Sequence, residues 1–426
     1  MPFAIENVRI TDLTWLLAGA GGPRMLASLG AEDIRVEWKD RLDVLRHGNP
    51  TIPIGKDRER VLNGETVMPE AESVNQGGHF AGINAGKRGI SLNLRTPKGK
   101  ELFKEIVRIS DIVVECFTAP TMKRLELDYD VLRKINPSLI YIQQPGFGKK
   151  GHYVDYVSTG PVAQAISGLS EQSGLPDPYP PAGWGYSYMD WSGAYYCGMA
   201  MLSALYYRAR TGQGQYMDCS QAEPAIYMTG TAVLDYMANG RRYQRTGNRS
   251  PYVPAAPHGA YRCQGSDRWI AIAVSNDDEW RALAGVLGDP GWTKEDRFKT
   301  MASRLARQDD LDGLMNDATQ AWDPWELTEK LQAAGVAAGA CQTAEERMFR
   351  DPQLKHRGFQ TMLNNSFVGE WQVKDFPVKL SESPAYVGGT LDRGFPCYGE
   401  DNDYVYGTLL GMPKSDQEAL ADEEVI

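Results

Sequence analysis

Asp190 is the residue whose type and setting point most directly to chemistry. It precedes an apolar stretch over residues 194–207 that contains no charged residue. An acid at the mouth of an apolar helix is partly withdrawn from water and lies near backbone N–H groups, and a carboxylate in that environment can act as a nucleophile. Because Asp is also a preferred N-cap residue, the local sequence alone favours a capping role over a catalytic one.

Three pairs of basic residues form a second chemical pattern. The pairs are Lys87–Arg88, Lys123–Arg124 and Lys149–Lys150, each beside a turn that contains Gly or Pro. The formal net charge of −10 argues against a general nucleic-acid-binding protein. Three basic turns would nevertheless suit one ligand that carries several phosphates. Scattered solvated lysines would give the same pattern, and both interpretations stay open at this point.

The composition is that of a globular protein with more than one domain. Of 426 residues, 42% are hydrophobic and 23% are charged. No run approaches the ~18–20 apolar residues of a membrane span, and the N-terminus lacks a signal-peptide pattern, so we expect a cytoplasmic protein. The histidines are isolated, and the cysteines are scattered without a C-x-x-C pair, so no metal site is expected. The cysteines are Cys116, Cys197, Cys219, Cys263, Cys341 and Cys397.

The N-terminal part alternates between predicted strands and helices, which is typical of a doubly wound parallel sheet. The predicted strands are 8–13, 34–37, 90–94, 112–115 and 139–142, with a glycine loop over 18–23 and a helix over 97–109. Ligands on such sheets bind at the carboxyl ends of the strands. The glycine loop lacks the third glycine of a dinucleotide-binding motif, and Glu37 comes too early to bind a ribose. Both observations argue against NAD.

The middle of the chain has a different pattern. Residues 47–80 are polar and predict an excursion over the surface, and residues 221–239 predict one helix. A hairpin with a Gly-Ser-Asp turn is predicted over 261–273, followed by amphipathic helices. We therefore predict an α/β fold with a smaller α+β domain inserted into a larger domain. The predicted bounds are 1–225 for the first part of the large domain, 226–348 for the small domain and 349–426 for the return segment.

A series of short motifs runs in order through nearly the whole chain. It comprises Ala18-Gly19, Leu29-Gly30-Ala31, Val36-Glu37, residues 84–92, Gly146-Phe147-Gly148, residues 164–168, Asp190, residues 211–215, residues 245–248, residues 256–259 and residues 351–354. Each motif alone is weak evidence for a protein family, but so many motifs in the same order are specific evidence. In this series the chain resembles the family III CoA-transferases, the group of formyl-CoA transferase and the carnitine and bile-acid CoA-transferases.

The resemblance implies that Asp190 is the catalytic nucleophile and that two subunits interlock like links of a chain. It also implies that coenzyme A (CoA) lies across the large domain as a co-substrate. The residues implied to bind CoA are Leu17, Ala18, Lys87, Arg88, Phe117, Arg124 and Leu125. The chain departs from the family at Cys116 and Thr118, where an amide and an arginine are usual. The detailed nucleotide contacts are therefore expected to differ, whereas the nucleophile is present.

This identification predicts a relay that moves CoA from an acyl-CoA donor to a carboxylic acid. Asp190 would attack the donor thioester to form an anhydride, and the released thiolate would then convert it to an aspartyl-CoA thioester. Backbone N–H groups of Gly146, Phe147 and Gly148 are candidate oxyanion donors, because glycine lets the backbone approach closely. Gln144 is a candidate to orient the incoming carboxylate. A tight turn and a structural amide are the ordinary alternatives for these residues. Succinyl-CoA is a candidate donor.

Two other functions fit part of the pattern. An acyl-CoA racemase of the same fold needs a second base, a histidine, and Thr159 holds that position here. A CoA-binding subunit working with a related partner would be expected to lack the acid that is present at position 190. The sequence leaves open whether the partner is a second copy or a related subunit.

The acyl pocket is the least determined part of the site. The aromatic residues around Asp190 predict packing for the most part, and any that line the pocket would favour a bulky or apolar acid. These residues are Tyr179, Trp184, Tyr186, Tyr188, Trp191, Tyr195 and Tyr196. Residues 274–279 replace the glycine-rich loop of formyl-CoA transferase, so a formyl and oxalate substrate pair is not expected. His258 is expected to serve packing.

Overall fold

The computed structural model describes residues 1–47, 50–183 and 188–426. The N-terminal part forms six strands: β1 (Arg9–Leu13), β2 (Glu32–Glu37), β3 (Arg88–Ser91), β4 (Ile112–Glu115), β5 (Ile140–Gln143) and β6 (Gln215–Asp218). They pair in parallel in the order β3-β2-β1-β4-β5-β6. The predicted doubly wound sheet is thereby confirmed, and it brings the carboxyl ends of all six strands to one edge.

Strands β4 and β5 are buried at every residue, as expected for a parallel sheet that is covered on both faces. Two hydrophobic clusters account for this burial. One contains Phe103 and Tyr141, and the other contains Ile140 and Met201. Alternate residues of the same strand, such as Ile140 and Tyr141, belong to different clusters because successive side chains point to opposite faces.

The helices have the following bounds. They are α1 (Leu16–Ser28), α2 (Gly55–Leu62), α3 (Gly78–Asn84), α4 (Pro97–Arg108), α5 (Thr121–Arg124), α6 (Tyr129–Ile135), α7 (Gly160–Ile166), α8 (Tyr188–Thr211), α9 (Ala222–Met228), α10 (Gly230–Asn239), α11 (Asp277–Val286), α12 (Met301–Leu305), α13 (Gln308–Thr319), α14 (Pro324–Ala333), α15 (Pro352–His356) and α16 (Lys414–Asp422). Short 3₁₀ or π turns lie at Val44–Arg46, Gly291–Lys294, Asp296–Phe298, Glu346–Arg350, Gly389–Leu391 and Asp403–Leu409.

The predicted glycine loop over residues 18–23 is wrong, because these residues lie inside α1. The glycines serve helix packing. A Cβ atom on Gly21 would lie 2.6 Å from Cβ of Ala194 in α8, and one on Gly22 would lie 3.2 Å from Cβ of Cys197. Small residues let the two helix backbones approach closely, and this contact fixes α8 against the helix that follows β1.

Two other local predictions are corrected. The stretch over residues 47–80 is not simply a surface excursion, since Ile52 and Phe80 are fully buried beside Phe395. The single helix predicted over 221–239 is two helices, α9 and α10, which are separated at Thr229.

The chain divides into two compact units. Unit 1 comprises Met1–Leu169, Trp184–Val233 and Gln353–Ile426, and unit 2 comprises Ser170–Gly183 and Leu234–Pro352. Unit 1 holds the large sheet and a hairpin of β10 (Gln360–Asn365) with β11 (Gly369–Lys374). The domain boundaries at 226 and 348 remain a prediction, and the compact unit 2 includes residues 170–183, which that prediction assigned to the large domain.

Unit 2 contains an antiparallel sheet of β7 (His258–Arg262), β8 (Trp269–Ala273) and β9 (Ala337–Ala340). Its core includes Trp280 and Phe298. The predicted hairpin is present, and positive φ angles at Gly265 (106°) and Asp267 (53°) reverse the chain between its strands. Among the helices that the structure describes, none is long and apolar enough to cross a membrane.

Candidate active site

Asp190 lies inside the first turn of α8, as the third residue of that helix. It is therefore not at the N-cap position that its local sequence favoured. The side chain is partly buried, and a carboxylate in the first helical turn is stabilised by the positive end of the helix dipole. Helix α8 is held in place by α1 on one side, so the position of Asp190 depends on the glycines that allow this packing.

The carboxylate of Asp190 lies directly against Gly160, the first residue of α7. A Cβ atom on Gly160 would lie 2.6 Å from Oδ1 and 3.0 Å from Oδ2 of Asp190. Carbon atoms of side chains do not come this close to a neighbour unless something shifts. Glycine has only a hydrogen atom in place of a side chain, and the carboxylate of Asp190 therefore fits beside it.

A second element, the loop after β6, supplies a hydrogen bond to the same carboxylate. Gln221 donates from Nε2 to Oδ1 of Asp190 at 2.5 Å. The backbone N–H of Gln221 donates to the carbonyl oxygen of Pro145 at 3.1 Å, and Ala222 donates to that of Gly146 at 3.0 Å. The loops after β5 and β6 are thereby joined beside the acid. Sequence reasoning did not find Gln221.

Gln144 lies close to this pair and is 5% exposed. Its Nε2 would lie 3.2 Å from a Cβ atom on Gly193, and Cγ of Gln221 would lie at the same distance from that atom. Gly193 is one helical turn beyond Asp190. Both polar atoms of the Gln144 side chain are buried without a hydrogen-bond partner among the described residues. An unpaired buried amide is costly, and a ligand that supplies partners would be stabilised there.

The predicted oxyanion turn at residues 146–148 follows β5 at the carboxyl edge of the sheet. Gly148 has φ of +83°, and Cβ on Gly146 would lie 1.8 Å from Oγ of Ser158, so both positions require glycine. The backbone N–H of Lys149 donates to the carboxylate of Asp218, whereas within residues 1–47, 50–183 and 188–426 the N–H groups of the turn donate to no protein acceptor. They are available to a ligand.

A cavity of about 540 Å³ lies at the carboxyl ends of β1 to β4. It gathers three of the residues predicted to bind CoA, namely Phe117, Arg124 and Leu125. The aromatic lining includes Trp15, whose ring meets that of Phe117 edge-on at 6.0 Å between centroids. Further lining residues that sequence reasoning missed are Trp38, Arg41 and Arg95. They follow β2 and β3 directly, and position after a parallel strand was the signal that could have found them.

The structure does not place Lys87 and Arg88 in this cavity. Lys87 is fully buried, and its ammonium group lies 2.8 Å from Asp12 and 3.5 Å from Asp33. Burial raises the pKa of Asp33 well above its usual value, although Lys87 opposes that shift. Arg88 pairs with Glu32 at 2.9 Å and with an acid from the C-terminal segment. Both cations are paired with acids and neither lines the cavity, so their contact with the phosphates of CoA stays a prediction.

Leu17 and Ala18, also predicted to bind CoA, are partly exposed in the first turn of α1. Helix α1 begins just after Trp15, which lines the cavity, and it packs on α8, which carries Asp190. The first turn of α1 therefore links the lining of the cavity to the helix of the acid. N–H groups of a first helical turn lack intrahelical partners and can bind a ligand.

The departures at Cys116 and Thr118 flank the same phenylalanine. Cys116 accepts a hydrogen bond from the backbone N–H of Trp15 at 3.0 Å, and burial raises the pKa of its thiol to about 12, so it stays protonated. Glu115 ends β4 in the centre of the sheet, where burial raises its pKa to about 8. The N–H of Phe117 donates to Glu115 at 2.7 Å and fixes the start of the loop.

The remaining candidates are less closely tied to the acid. Trp184 and Tyr186 lie outside the described residues. The rings of Trp191 and Tyr195 meet on α8 at 6.2 Å. In unit 2, Nδ1 of His258 contacts the carbonyl oxygen of Asn248 at 2.5 Å. Within the described part of the chain, no group of three His, Cys, Asp or Glu side chains could hold a metal ion.

The model of CoA-transferase family III matches residues 5–402. The chain belongs to this family. A succinyl-CoA–D-citramalate CoA-transferase of Chloroflexus aurantiacus is 31% identical over 426 residues, which cover 100% of this chain and 98% of the relative. A succinate–glutarate CoA-transferase of Agrobacterium fabrum is 29% identical over 405 residues, 95% of each chain.

The fold is likewise that of a solved family member. A CAIB/BAIF family protein from Brucella suis superposes with a TM-score of 0.83 at 29% identity, covering 96% of this chain and 100% of that one. The resemblance inferred from the ordered motifs is thereby confirmed. This CoA-transferase is an enzyme that transfers CoA, with a CoA thioester and a carboxylic acid as its substrates.

Proposed function

We propose that this enzyme transfers CoA through a covalent thioester on Asp190. The observation that carries the proposal is the setting of its carboxylate, which is pressed against Gly160 and bonded to Gln221 beside the unpaired amide of Gln144. These contacts hold a partly buried acid in one orientation, and a fixed nucleophile reacts faster than a freely rotating one.

The relay balances without an external energy source. One oxygen of Asp190 bonds to the thioester carbon, and the C–S bond breaks, so that CoA leaves as a thiolate. The thiolate then bonds to Cγ of Asp190, and the donor acid leaves with the oxygen that had attacked. The acceptor carboxylate repeats both steps in reverse, and its acyl group leaves as the new CoA thioester. The overall exchange replaces one CoA thioester by another of similar energy, and the anhydrides form only transiently between them.

We assign the nucleotide part of CoA to the cavity of about 540 Å³. Trp15 and Phe117 offer flat apolar surface to the base, while Arg41, Arg95 and Arg124 offer cations to the phosphates. The arm of CoA would then pass the first turn of α1, with Leu17 and Ala18, towards Asp190. This set takes the place of Lys87 and Arg88, which are paired with acids outside the cavity.

The turn at Gly146, Phe147 and Gly148 would bind the carbonyl oxygen of the acyl substrate as it becomes negative. Its N–H groups have no acceptor within the described residues, and fixed backbone donors of this kind stabilise an oxyanion without reorganisation. Gln144 would donate to the carboxylate of the free acid. Its amide is buried and unpaired, as expected for a group whose partner is a substrate.

Succinyl-CoA is the donor that we propose, with a short dicarboxylic acid as the acceptor. The names of two relatives that span nearly this whole chain contain succinyl-CoA or succinate together with a second dicarboxylic acid. The alternative function, a racemase, is not supported by the residues beside Asp190. The position of the second base is held by Thr159, the residue before α7, and the next residue is the glycine that touches Asp190.

We further propose that the enzyme works as a dimer, in the interlocked form that the resemblance implies. Helix α8 exposes Tyr195, Met199, Leu202 and Tyr206, which line an apolar cavity of about 560 Å³ together with Phe376. A surface this apolar is typical of a protein interface. Sedimentation of the pure chain tests this proposal, because a monomer would refute it and a requirement for a second gene product would indicate a heteromer.

The covalent step is tested by the mass of the peptide that contains Asp190. Pure enzyme is incubated with a panel of acyl-CoA esters, including succinyl-CoA, and the peptide is compared with that from Asp190→Asn. A CoA adduct on Asp190 that borohydride reduces would support the relay and identify the donor. No adduct with any ester, combined with deuterium exchange at the α-carbon, would instead support the racemase.

A further inference from the structure

The hydrogen bond between Gln221 and Asp190 has a defined direction. An ionised carboxylate has only acceptors, so the side-chain amide must present its NH₂ group to Oδ1. Gln221 is not part of any motif that carried the family resemblance. Its role therefore has to be derived from its place beside the reacting carboxylate.

Gln221 is fixed by contacts on three sides. It is 7% exposed, and its backbone N–H donates to Pro145. Its Cγ packs beside Gly193, where an added Cβ atom would lie 3.2 Å away. The next residue, Ala222, is bonded to Gly146 in the proposed oxyanion turn. The amide can therefore follow Asp190 only over a short distance, which is the property required of a preorganised donor.

The proposed relay contains two kinds of tetrahedral intermediate. In one kind the carbon under attack belongs to the substrate acyl group. In the other kind it is Cγ of Asp190 itself, which thiolate or acceptor carboxylate attacks. When the attack is on Cγ, the electron pair of its C=O bond moves onto the retained oxygen, and it returns when the leaving group departs. Because the amide of Gln221 engages Oδ1, Oδ2 is the oxygen left to make the attack, and Oδ1 then stays on Asp190 through these steps.

We propose that Gln221 is the oxyanion donor for the steps in which Asp190 is itself the acyl group. Its NH₂ group is already placed on the oxygen that becomes negative, while the turn at residues 146–148 serves the substrate carbonyl. The inference rests on the proposed aspartyl relay. It makes Gln221 a catalytic residue, because the amide contacts a reacting atom.

Two variants separate this role from a structural one. Gln221→Leu removes the donor at similar volume and is expected to lower kcat by about 10²–10³-fold with little change in KM for the CoA ester. Gln221→Glu keeps the shape of the side chain. Two adjacent carboxylates share one proton, so Gln221→Glu should regain activity as the pH falls and the new acid becomes a donor again. A packing role would produce no such pH profile.

Gln417→Leu is the matched control. Gln417 is also a buried glutamine that donates from Nε2, but to the carbonyl oxygen of Met412. It should lose similar stability and keep wild-type kcat. Thermal unfolding of all variants is recorded beside the rates.

The outcomes distinguish the inference from the proposal on which it rests. If the wild type forms no CoA adduct on Asp190, the relay itself is refuted. If the wild type forms the adduct but Gln221→Leu and Gln221→Glu turn over at the wild-type rate, only the role of Gln221 is refuted. Adduct formation in the wild type together with a large loss of kcat in Gln221→Leu, and recovery of Gln221→Glu at low pH, would support the role.

Discussion

Gly160→Ala tests whether the space beside Asp190 is a requirement of catalysis. The new methyl carbon would lie 2.6 Å from Oδ1, 2.9 Å from Cγ and 3.0 Å from Oδ2 of Asp190. Either the carboxylate or α7 must shift by about 0.5–1 Å to relieve this contact, and a misplacement of that size can lower the rate about 10²-fold. The shift would also disturb the hydrogen bond from Gln221.

The stability of Gly160→Ala should change less than its activity, because the helix propensity of alanine offsets part of the cost of the close contact. Gly160 begins α7 without a positive φ angle, and alanine is the better helix former by about 1 kcal/mol. Activity and stability are therefore expected to separate. Gly313→Ala, within α13, is a suitable control because nothing lies within 4 Å of the added methyl group. It should keep wild-type kcat.

The assay measures steady-state kcat and KM with succinyl-CoA and, separately, the rate of CoA adduct formation on Asp190. A slow adduct step in Gly160→Ala, with normal unfolding, is the expected result. Wild-type kcat in a folded Gly160→Ala enzyme would refute the reasoning, because it would show that the carboxylate is free to move without loss.

Three further changes test the surrounding structure. Arg124→Ala should raise KM for the CoA ester about tenfold at unchanged kcat, since a charge-assisted contact to phosphate contributes about 1.5–3 kcal/mol; Lys123→Ala, whose side chain does not line the cavity, is the control. Lys87→Met should lower the free energy of unfolding by about 3–5 kcal/mol, because it removes the cation paired with the buried Asp33 and leaves Asp12 with Arg35 alone; an unchanged urea midpoint with weaker CoA binding would support the phosphate role. Burial raises the pKa of Glu115 from 4.5 to about 8 in the folded protein. As the pH rises between these two values, only the unfolded chain has released the proton, so the stability of the wild type falls. Glu115→Gln should remove this loss, and parallel stability curves for the two proteins would contradict it.

The fold could be predicted from the sequence because it depends on local patterns. Short apolar runs alternate with amphipathic helices, and this order specifies a parallel sheet. The glycines at 21 and 22 were placed in a loop for a physical reason. Glycine usually breaks a helix, and only the contact with α8, far along the chain, shows that they remain helical for close packing.

The candidate site could be predicted only at or next to the positions that the family motifs contain. Asp190 and the turn at residues 146–148 are the candidate residues that those motifs contain, and Gln144 is a candidate just before that turn. Gln221 was missed because its contact spans 31 positions and its sequence context is that of an ordinary helix start. The resemblance implies that Lys87 contacts phosphate, and the sequence does not show that this lysine is buried, because its partner acids lie far away along the chain.

The central claim is that Asp190 is acylated during turnover, and the transfer of oxygen tests it most directly. The acceptor acid is labelled with heavy oxygen in its carboxylate, and the peptide containing Asp190 is weighed after turnover. The relay leaves one acceptor oxygen on Asp190, because the acyl group departs to CoA without it. We therefore expect heavy oxygen in that carboxylate, and none after incubation with unlabelled acid in heavy-oxygen water. Turnover without any label on Asp190 would contradict the account, because CoA would then pass between the acids without an aspartyl intermediate.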